Sequence, residues 1–342
     1  MKKRVAIIGA GQVAETVHAS YYQTREELEL AAVCDPNLER ANEFARENGF
    51  LAAYDDAKTM FQREAIDIVS ICTPNRFHFE NVMLALQNGA HVMCEKPPAM
   101  TPEEAEQMAG EAASRGLVLA YDFHHRFSNE ARFLKKEKAR LGDIYVTRAQ
   151  ALRRSGVPGW GTFTNKEIQG GGPLIDIGIH MLDVAMYVLG FPKVKRVMAK
   201  SFQKIGTKKS MGSFGSWDPL KFTVEDALFG WIEFENGHIL ELETSFALHM
   251  KENRIFNVSF FGDEAGGTLY PAEIFTDNDG DLEMLKAPGF IEEDSHSASM
   301  AAFVEKVLFD RGDVATGEEG LIIQRLVAAL YESAEKEACV YL

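Results

Sequence analysis

Three stretches of this chain hold residue types whose order can support chemistry. Gly9-Ala10-Gly11-Gln12-Val13-Ala14 fits G-x-G-x-x-G/A with alanine in the third place. Gly9 permits a tight turn, and Gly11 lets the backbone approach a pyrophosphate. Gln12 and Val13 open a helix whose N-terminus attracts the anion, and Ala14 keeps that helix close to its sheet. Asp35 comes 21 residues after Ala14, where a carboxylate receives the hydroxyls of an adenosine ribose. Taken alone, the motif also occurs in plain strand-to-helix turns, and Asp35 could simply cap the next helix. Turn, helix and acid in register favour a bound dinucleotide. Asp35 would repel a 2′-phosphate and Arg40 is the nearby cation, so NAD is expected rather than NADP.

The second stretch is Cys94-Glu95-Lys96-Pro97-Pro98, which places a lysine between an acid and two rigid prolines directly after a strand. In α/β folds ligands bind beyond such strand ends. Thr73-Pro74-Asn75, with His78, leaves a similar strand and is expected to line the cofactor. The third stretch runs from Gly170 to Asp183. Asp176 and His180 are four apart and share one helix face, with Asp183 on roughly the same side. Such a pair can ligate zinc, but no further His, Cys or acid motif completes a set, so no metal is expected. Asp176 near the helix start could instead cap it, or the pair could surround a substrate hydroxyl.

These residues need elements to hold them. In the first 120 residues, strand-like runs at 4–8, 30–34, 66–72, 90–94 and 117–121 alternate with helix-like stretches at 12–23, 38–47, 77–88 and 102–114. Apolar residues run together in the strands, as in strands covered on both faces. Such alternation builds βαβ units and a doubly wound parallel sheet. Beyond residue 122 the pattern changes to strands at 144–152, 194–201, 227–235, 239–246 and 255–261, broken by helices at 129–140 and 179–189. Asn236-Gly237 between alternating apolar residues signals a hairpin. The acidic run Asp277–Asp281 fails the calcium-loop pattern and is read as another hairpin turn. Helices near 298–309 and 320–339 are expected to pack on the body. The fold class is therefore α/β, with an N-terminal domain at 1–122 and an α+β domain at 123–342 built on a large, mainly antiparallel open sheet.

The Gly9–Ala14 turn, Cys72-Thr73-Pro74-Asn75 with His78, Glu95-Lys96-Pro97 and Asp176-x-Gly178-x-His180-x-x-Asp183 occur here in one order. In this the chain resembles the Gfo/Idh/MocA oxidoreductases over nearly its whole length. The resemblance implies an N-terminal Rossmann domain and a C-terminal α/β domain whose open sheet often serves oligomerisation, here a homodimer or homotetramer. It also implies that Lys96, Asp176 and His180 form the catalytic group. Pro98 stands where many members carry an apolar residue such as leucine.

On this reading hydride passes between a nicotinamide and a hydroxyl-bearing carbon of a sugar, polyol or inositol-like substrate. Either Lys96 or His180 can move the hydroxyl proton, or the two can act as a coupled pair. Asp176 orients the site. Arg126 is expected to touch cofactor or substrate. Trp160, in a glycine-rich loop, either stacks on a sugar ring or packs as a core residue, and His124 and His125 receive no assignment. An NAD-dependent glycosidase working through transient oxidation, or a dinucleotide-binding sensor without turnover, are the competing functions. Composition narrows the field. With 36 Lys+Arg against 51 Asp+Glu among 342 residues, the net charge of −15 disfavours nucleic acid and anionic membranes as partners. No apolar run is read as a spanning helix, the N-terminal Lys-Lys-Arg and short apolar run are not read as a signal peptide, and four cysteines without CxxC spacing are expected to be free thiols of a cytoplasmic protein.

Overall fold

Six short strands, β1 (Lys3–Ile8), β2 (Leu28–Cys34), β3 (Ala52–Tyr54), β4 (Ile68–Ile71), β5 (His91–Cys94) and β6 (Leu119–Tyr121), form an all-parallel sheet in the order β3-β2-β1-β4-β5-β6. The structure, a computed structural model, describes residues 2–287 and 294–342. Val5–Ile8 and Ile68–Ile71 are buried throughout, as strands covered on both faces must be. The covering helices start and stop where their end residues dictate. Asn37 caps Leu38–Asn48 by accepting from the Arg40 amide, and Gly49 ends that helix in the left-handed region. Thr101 and Pro102 open Pro102–Arg115, and Gly116 closes it in the same way. Strand β3 and helix Ala57–Arg63 were not expected: β3 is three residues of intermediate burial, too short to display a period.

The second sheet has nine strands: β7 (Ile144–Arg153), β8 (Val194–Phe202), β11 (Ala227–Phe234), β12 (Ile239–Ser245), β13 (Arg254–Gly262), β14 (Gly266–Thr268), β15 (Glu273–Asn278), β16 (Asp281–Lys286) and β17 (Val340–Tyr341). A separate two-stranded hairpin pairs β9 (Met211–Gly212) with β10 (Gly215–Ser216). The order is β16-β15-β14-β13-β7-β12-β11-β8-β17, and neighbours are antiparallel except β7 with β12. Both expected hairpin turns are present, β11 to β12 through Asn236-Gly237 and β15 to β16 through Asp279-Gly280. Helix Ile179–Leu189, buried at every position but Tyr187, packs against β7 and β13. Another sheet face presents a cross-strand row of Met198, Trp231, Glu241 and Arg148, with Phe229 and Lys200 beside it.

The chain divides into two units, residues 1–123 with 296–324, and residues 124–295 with 325–342. This cuts the chain differently from the expected 1–122 and 123–342. The reason is apolar: Met300, Phe303 and Val304 of helix Ser295–Phe309 join Val5, Ile7, Tyr22, Val33 and Met93 in the core of the first unit. Thr316 also bridges to Ala120 of β6. One helical stretch, residues 166–189, is long and apolar, and 89% of its apolar window is buried inside the protein, as in a core helix.

Candidate active site

In the first unit, two strand exits meet the glycine turn. Gly9 has φ +99°, and a Cβ there would lie 2.6 Å from the Cys72 carbonyl oxygen, so only glycine fits. The Gly9 amide donates to Cys34 O at 2.7 Å and the Cys72 amide to Ile8 O at 2.8 Å, which ties the ends of β1, β2 and β4 together. At Gly11 a Cβ would meet nothing within 4 Å. The Glu15 amide makes the bond back to Gly11 O, so the N–H groups of Gln12, Val13 and Ala14 belong to the open first turn of the helix. Residues Ala14–Ala19 wind as a π-helical segment. Asp35, buried at the end of β2, accepts from the Ala10 amide at 3.1 Å and the Asn37 amide at 2.9 Å, with Arg40 3.6 Å away. The Thr73 hydroxyl is buried without a hydrogen-bond partner in the structure. Open space at Gly11, donors at a helix start, an acid at the neighbouring strand end and an unsatisfied hydroxyl together fit a dinucleotide.

Two residues expected at the cofactor brace the strand exits. His78 is fully buried, with Nδ1 2.8 Å from Pro97 O and Nε2 2.9 Å from Thr73 O, so it latches one strand exit to the other. Burial pushes its pKa down. Glu95 is also buried, its carboxylate 3.0 Å from His18 Nε2, while His18 Nδ1 meets Ser70 Oγ at 2.9 Å and the Tyr22 hydroxyl meets the same Ser70 at 2.7 Å. Burial raises the Glu95 pKa, but the His18 hydrogen bond and the charges of His18, Lys96 and His296 hold it below the ordinary carboxylate value. Lys96 and Asn75 are half-buried, Pro74 is exposed and Pro97 is buried.

The second unit carries Asp176 and His180 on one continuous helical run, π-helical over Leu174–Gly178 and α-helical from Ile179. Glu225 caps its start, accepting from the Gly172 amide at 3.0 Å, the Leu174 amide at 3.3 Å and the Tyr331 hydroxyl at 2.8 Å. Asp176 lies 3.7 Å from an Arg153 guanidinium nitrogen, and Arg153 sits over the Phe214 ring at 5.0 Å. Phe214 and Phe163 flank Trp160, which is 54% exposed, so Trp160 is not a core residue of its unit. Arg126, expected at cofactor or substrate, is 2% exposed and forms a two-pronged ion pair with buried Asp183. Its guanidinium also packs over Tyr187 and Phe191. Asp183 is thus paired with Arg126 in the interior of the unit.

The fold also gathers residues that spacing along the chain did not connect. His124 and His125 lie against His180, with ring centres 4.2, 5.0 and 5.2 Å apart in the three pairs. The sequence reading looked for partners of His180 along the chain; the fold sets two further imidazoles beside it. More than fifty residues separate the partners, so no local motif could have signalled them.

Comparison with known proteins agrees with this architecture. Residues 3–123 match the Gfo/Idh/MocA model for an oxidoreductase family with an NAD-binding Rossmann fold, and residues 137–342 match the C-terminal alpha/beta domain of the same family. A D-glucoside 3-dehydrogenase of Escherichia coli K12 is 60% identical over 334 residues, covering 97% of this chain and 95% of the relative. A myo-inositol 2-dehydrogenase of Thermotoga maritima is 24% identical over 347 residues, covering 99% and 98%. The solved structure of a levoglucosan dehydrogenase in complex with NADH aligns with a TM-score of 0.85 at 22% identity over 100% of this chain and 99% of that one, a likeness of fold.

Proposed function

Because the chain belongs to the Gfo/Idh/MocA family of NAD-binding oxidoreductases, we propose that it oxidises the 3-hydroxyl of a D-glucoside to the ketone. The observation that carries this is the 60% identity to a D-glucoside 3-dehydrogenase over 97% of the chain. Bound NAD supplies the hydride acceptor. The chain's own residues supply the rest. Lys96 takes the hydroxyl proton as the carbon–hydrogen bond breaks. Asp176, paired with Arg153, accepts a hydrogen bond from a ring hydroxyl, and His180 meets a sugar oxygen. The exposed face of Trp160 offers a platform for the apolar side of the pyranose.

The test is a panel of methyl and aryl D-glucosides with NAD, following NADH absorbance and locating the carbonyl by NMR. The reading requires a 3-keto product, and a glucoside fluorinated at C3 should be inert. NADH formation with other sugars only, or sugar release without net NADH, would remove it.

The open sheet supports a second part of the proposal, self-association in the cytoplasm. Tyr145 and Met198 are 54% and 51% exposed, and Phe229, Phe202 and Phe261 are each 36% exposed. Cys34, Cys72 and Cys94 are buried free thiols, in keeping with a reducing compartment. Light scattering is expected to give a dimer or tetramer, and Met198→Glu with Phe229→Glu should shift it to monomer. A wild-type monomer at micromolar concentration excludes the assembly.

A further inference from the structure

Between β8 and β11 of the second unit the chain makes a long excursion, residues 203–226, that carries the β9–β10 hairpin. Its root is fixed at one buried carboxylate. Asp226 Oδ2 accepts from the amides of Lys204, Ile205 and Gly206 at 2.6, 2.5 and 2.9 Å. The Trp217 indole donates to Gly206 O at 2.8 Å, and the Trp217 amide donates to Ser210 O at 2.9 Å. The hairpin is also stitched to the loop that carries Trp160. The Gly159 amide donates to Phe214 O and the Ser213 amide to Ser155 O, both at 2.8 Å. A Cβ at Gly159 would lie 2.5 Å from the Ser216 amide nitrogen, so glycine is what lets the two backbones come this close.

This scaffolding presents aromatic rings. Phe214 and Trp160 are exposed with ring centres 5.9 Å apart, and half-buried Phe163 backs Trp160 at 6.2 Å. Large rings held in fixed positions in water mark a binding surface, and the apolar face of a sugar covers them well. The shelf is continuous with the candidate site, because the Arg153 guanidinium lies 5.0 Å over the Phe214 ring and 3.7 Å from the Asp176 carboxylate. One pyranose covers one of these rings, so a single glucose unit leaves the other in water. The guanidinium beside Phe214 also offers N–H donors to hydroxyls at the rim of a second sugar, which a bare hydrocarbon ring would not use.

We propose that Trp160 and Phe214 form a two-ring shelf that takes both sugars of a disaccharide, so that the group attached to the oxidised glucose is a second pyranose. This rests on the glucoside reading and adds to it the identity of the aglycone. Phe214 is then a specificity residue, which helps hold the second ring and does not touch the reacting carbon.

The test compares glucosyl-glucose disaccharides of each linkage with phenyl D-glucoside and methyl D-glucoside, all with NAD. At least one disaccharide should exceed methyl D-glucoside in kcat/KM by about fivefold or more, chiefly through KM. Phe214→Ala should bring that ratio to within about twofold, and Phe214→Tyr should keep it. Should Phe214→Ala fail to fold, saturation-transfer NMR on the wild type with bound NADH decides, and protons of both sugar rings should receive saturation. No preferred disaccharide, a preference for phenyl D-glucoside alone, an unchanged ratio in Phe214→Ala or saturation confined to one ring overturns the subsite. A change of oligomeric state in Phe214→Ala, read by light scattering, also overturns it, since the shelf would then belong to a contact between copies of the chain. The NMR measurement needs no turnover, so failure of the dehydrogenase reading, seen as no 3-keto product from any glucoside, is scored separately.

Discussion

Lys96 leaves its strand between two anchored neighbours, since the Glu95 carboxylate is held by His18 and the Pro97 carbonyl by His78. The backbone is fixed on both sides while the side chain stays half-buried, an arrangement suited to a group that must meet a substrate at one point. Lys96→Met should therefore keep NAD affinity and the fold but reduce turnover about 10²–10⁴-fold, the usual worth of a general acid or base. Fluorescence titration with NADH and steady-state rates check the two halves; near-normal turnover removes Lys96 from the chemistry. Asp35 makes a different kind of prediction. Its carboxylate holds the Ala10 and Asn37 amides and faces Arg40, so Asp35→Ser should weaken NAD about tenfold or more and raise the NADP/NAD rate ratio as Arg40 is released. At this scale the sequence was readable where function depends on neighbours in the chain. Gly9, Gly11 and Asp35 could be placed by register alone, whereas the contacts that His78, Glu95 and Arg126 make with Pro97 O, His18 and Asp183 could not be read from the sequence. A side chain's type reveals that it is polar, while only the fold reveals that Pro97 O or Asp183 is what it touches.

The glycine turn illustrates how an element can be tested separately from the site it builds. Gly9 and Gly11 belong to one motif but face opposite constraints. A methyl at Gly9 would strike Cys72 O and strain a positive φ, so Gly9→Ala should cost roughly 2–4 kcal/mol of stability, seen as a fall in melting temperature without any ligand. A methyl at Gly11 meets nothing, so Gly11→Ala should leave the melting temperature within a degree or two of wild type and instead weaken NAD binding about tenfold or more. Equal melting temperatures for both variants would contradict this division. Longer elements were legible because period and caps agreed, as at Thr101-Pro102 and Gly116 around Pro102–Arg115. The strand Ala52–Tyr54 and the pieces Gly266–Thr268 and Met211–Gly212 escaped, since two or three residues carry no period and their pairing is set by neighbours distant in sequence. Nor did periodicity reveal that two helices open with π-helical segments, at Ala14–Ala19 and Leu174–Gly178.

For the molecule as a whole, acid should be destabilising through a residue remote from the chemistry. His238 is 3% exposed, its Nε2 3.0 Å from Thr147 Oγ1, and burial chiefly, with Lys138 adding to it against Asp143, pushes its pKa down to about 4. The folded value lies below the unfolded one near 6.5, so the stabilisation is present above pH 6.5 and is lost as the pH falls through 4. The loss amounts to about 3 kcal/mol at most. Urea midpoints at pH 7 and pH 4.5 should fall more for the wild type than for His238→Gln, and parallel falls would exclude this histidine as the source. The broad division into a parallel and a mainly antiparallel sheet was visible in the order of strands, but the return of residues 296–324 to the first unit was not, because an amphipathic helix does not state which core it will fill. That return has a consequence for biosynthesis. The sheet that carries the glycine turn begins first on the ribosome, yet Met300, Phe303 and Val304, which complete its core, emerge only after residues 124–295. Throughout that interval the core around Val5, Ile7 and Met93 lacks the side chains that complete it, so the first unit closes only after most of the second has been made.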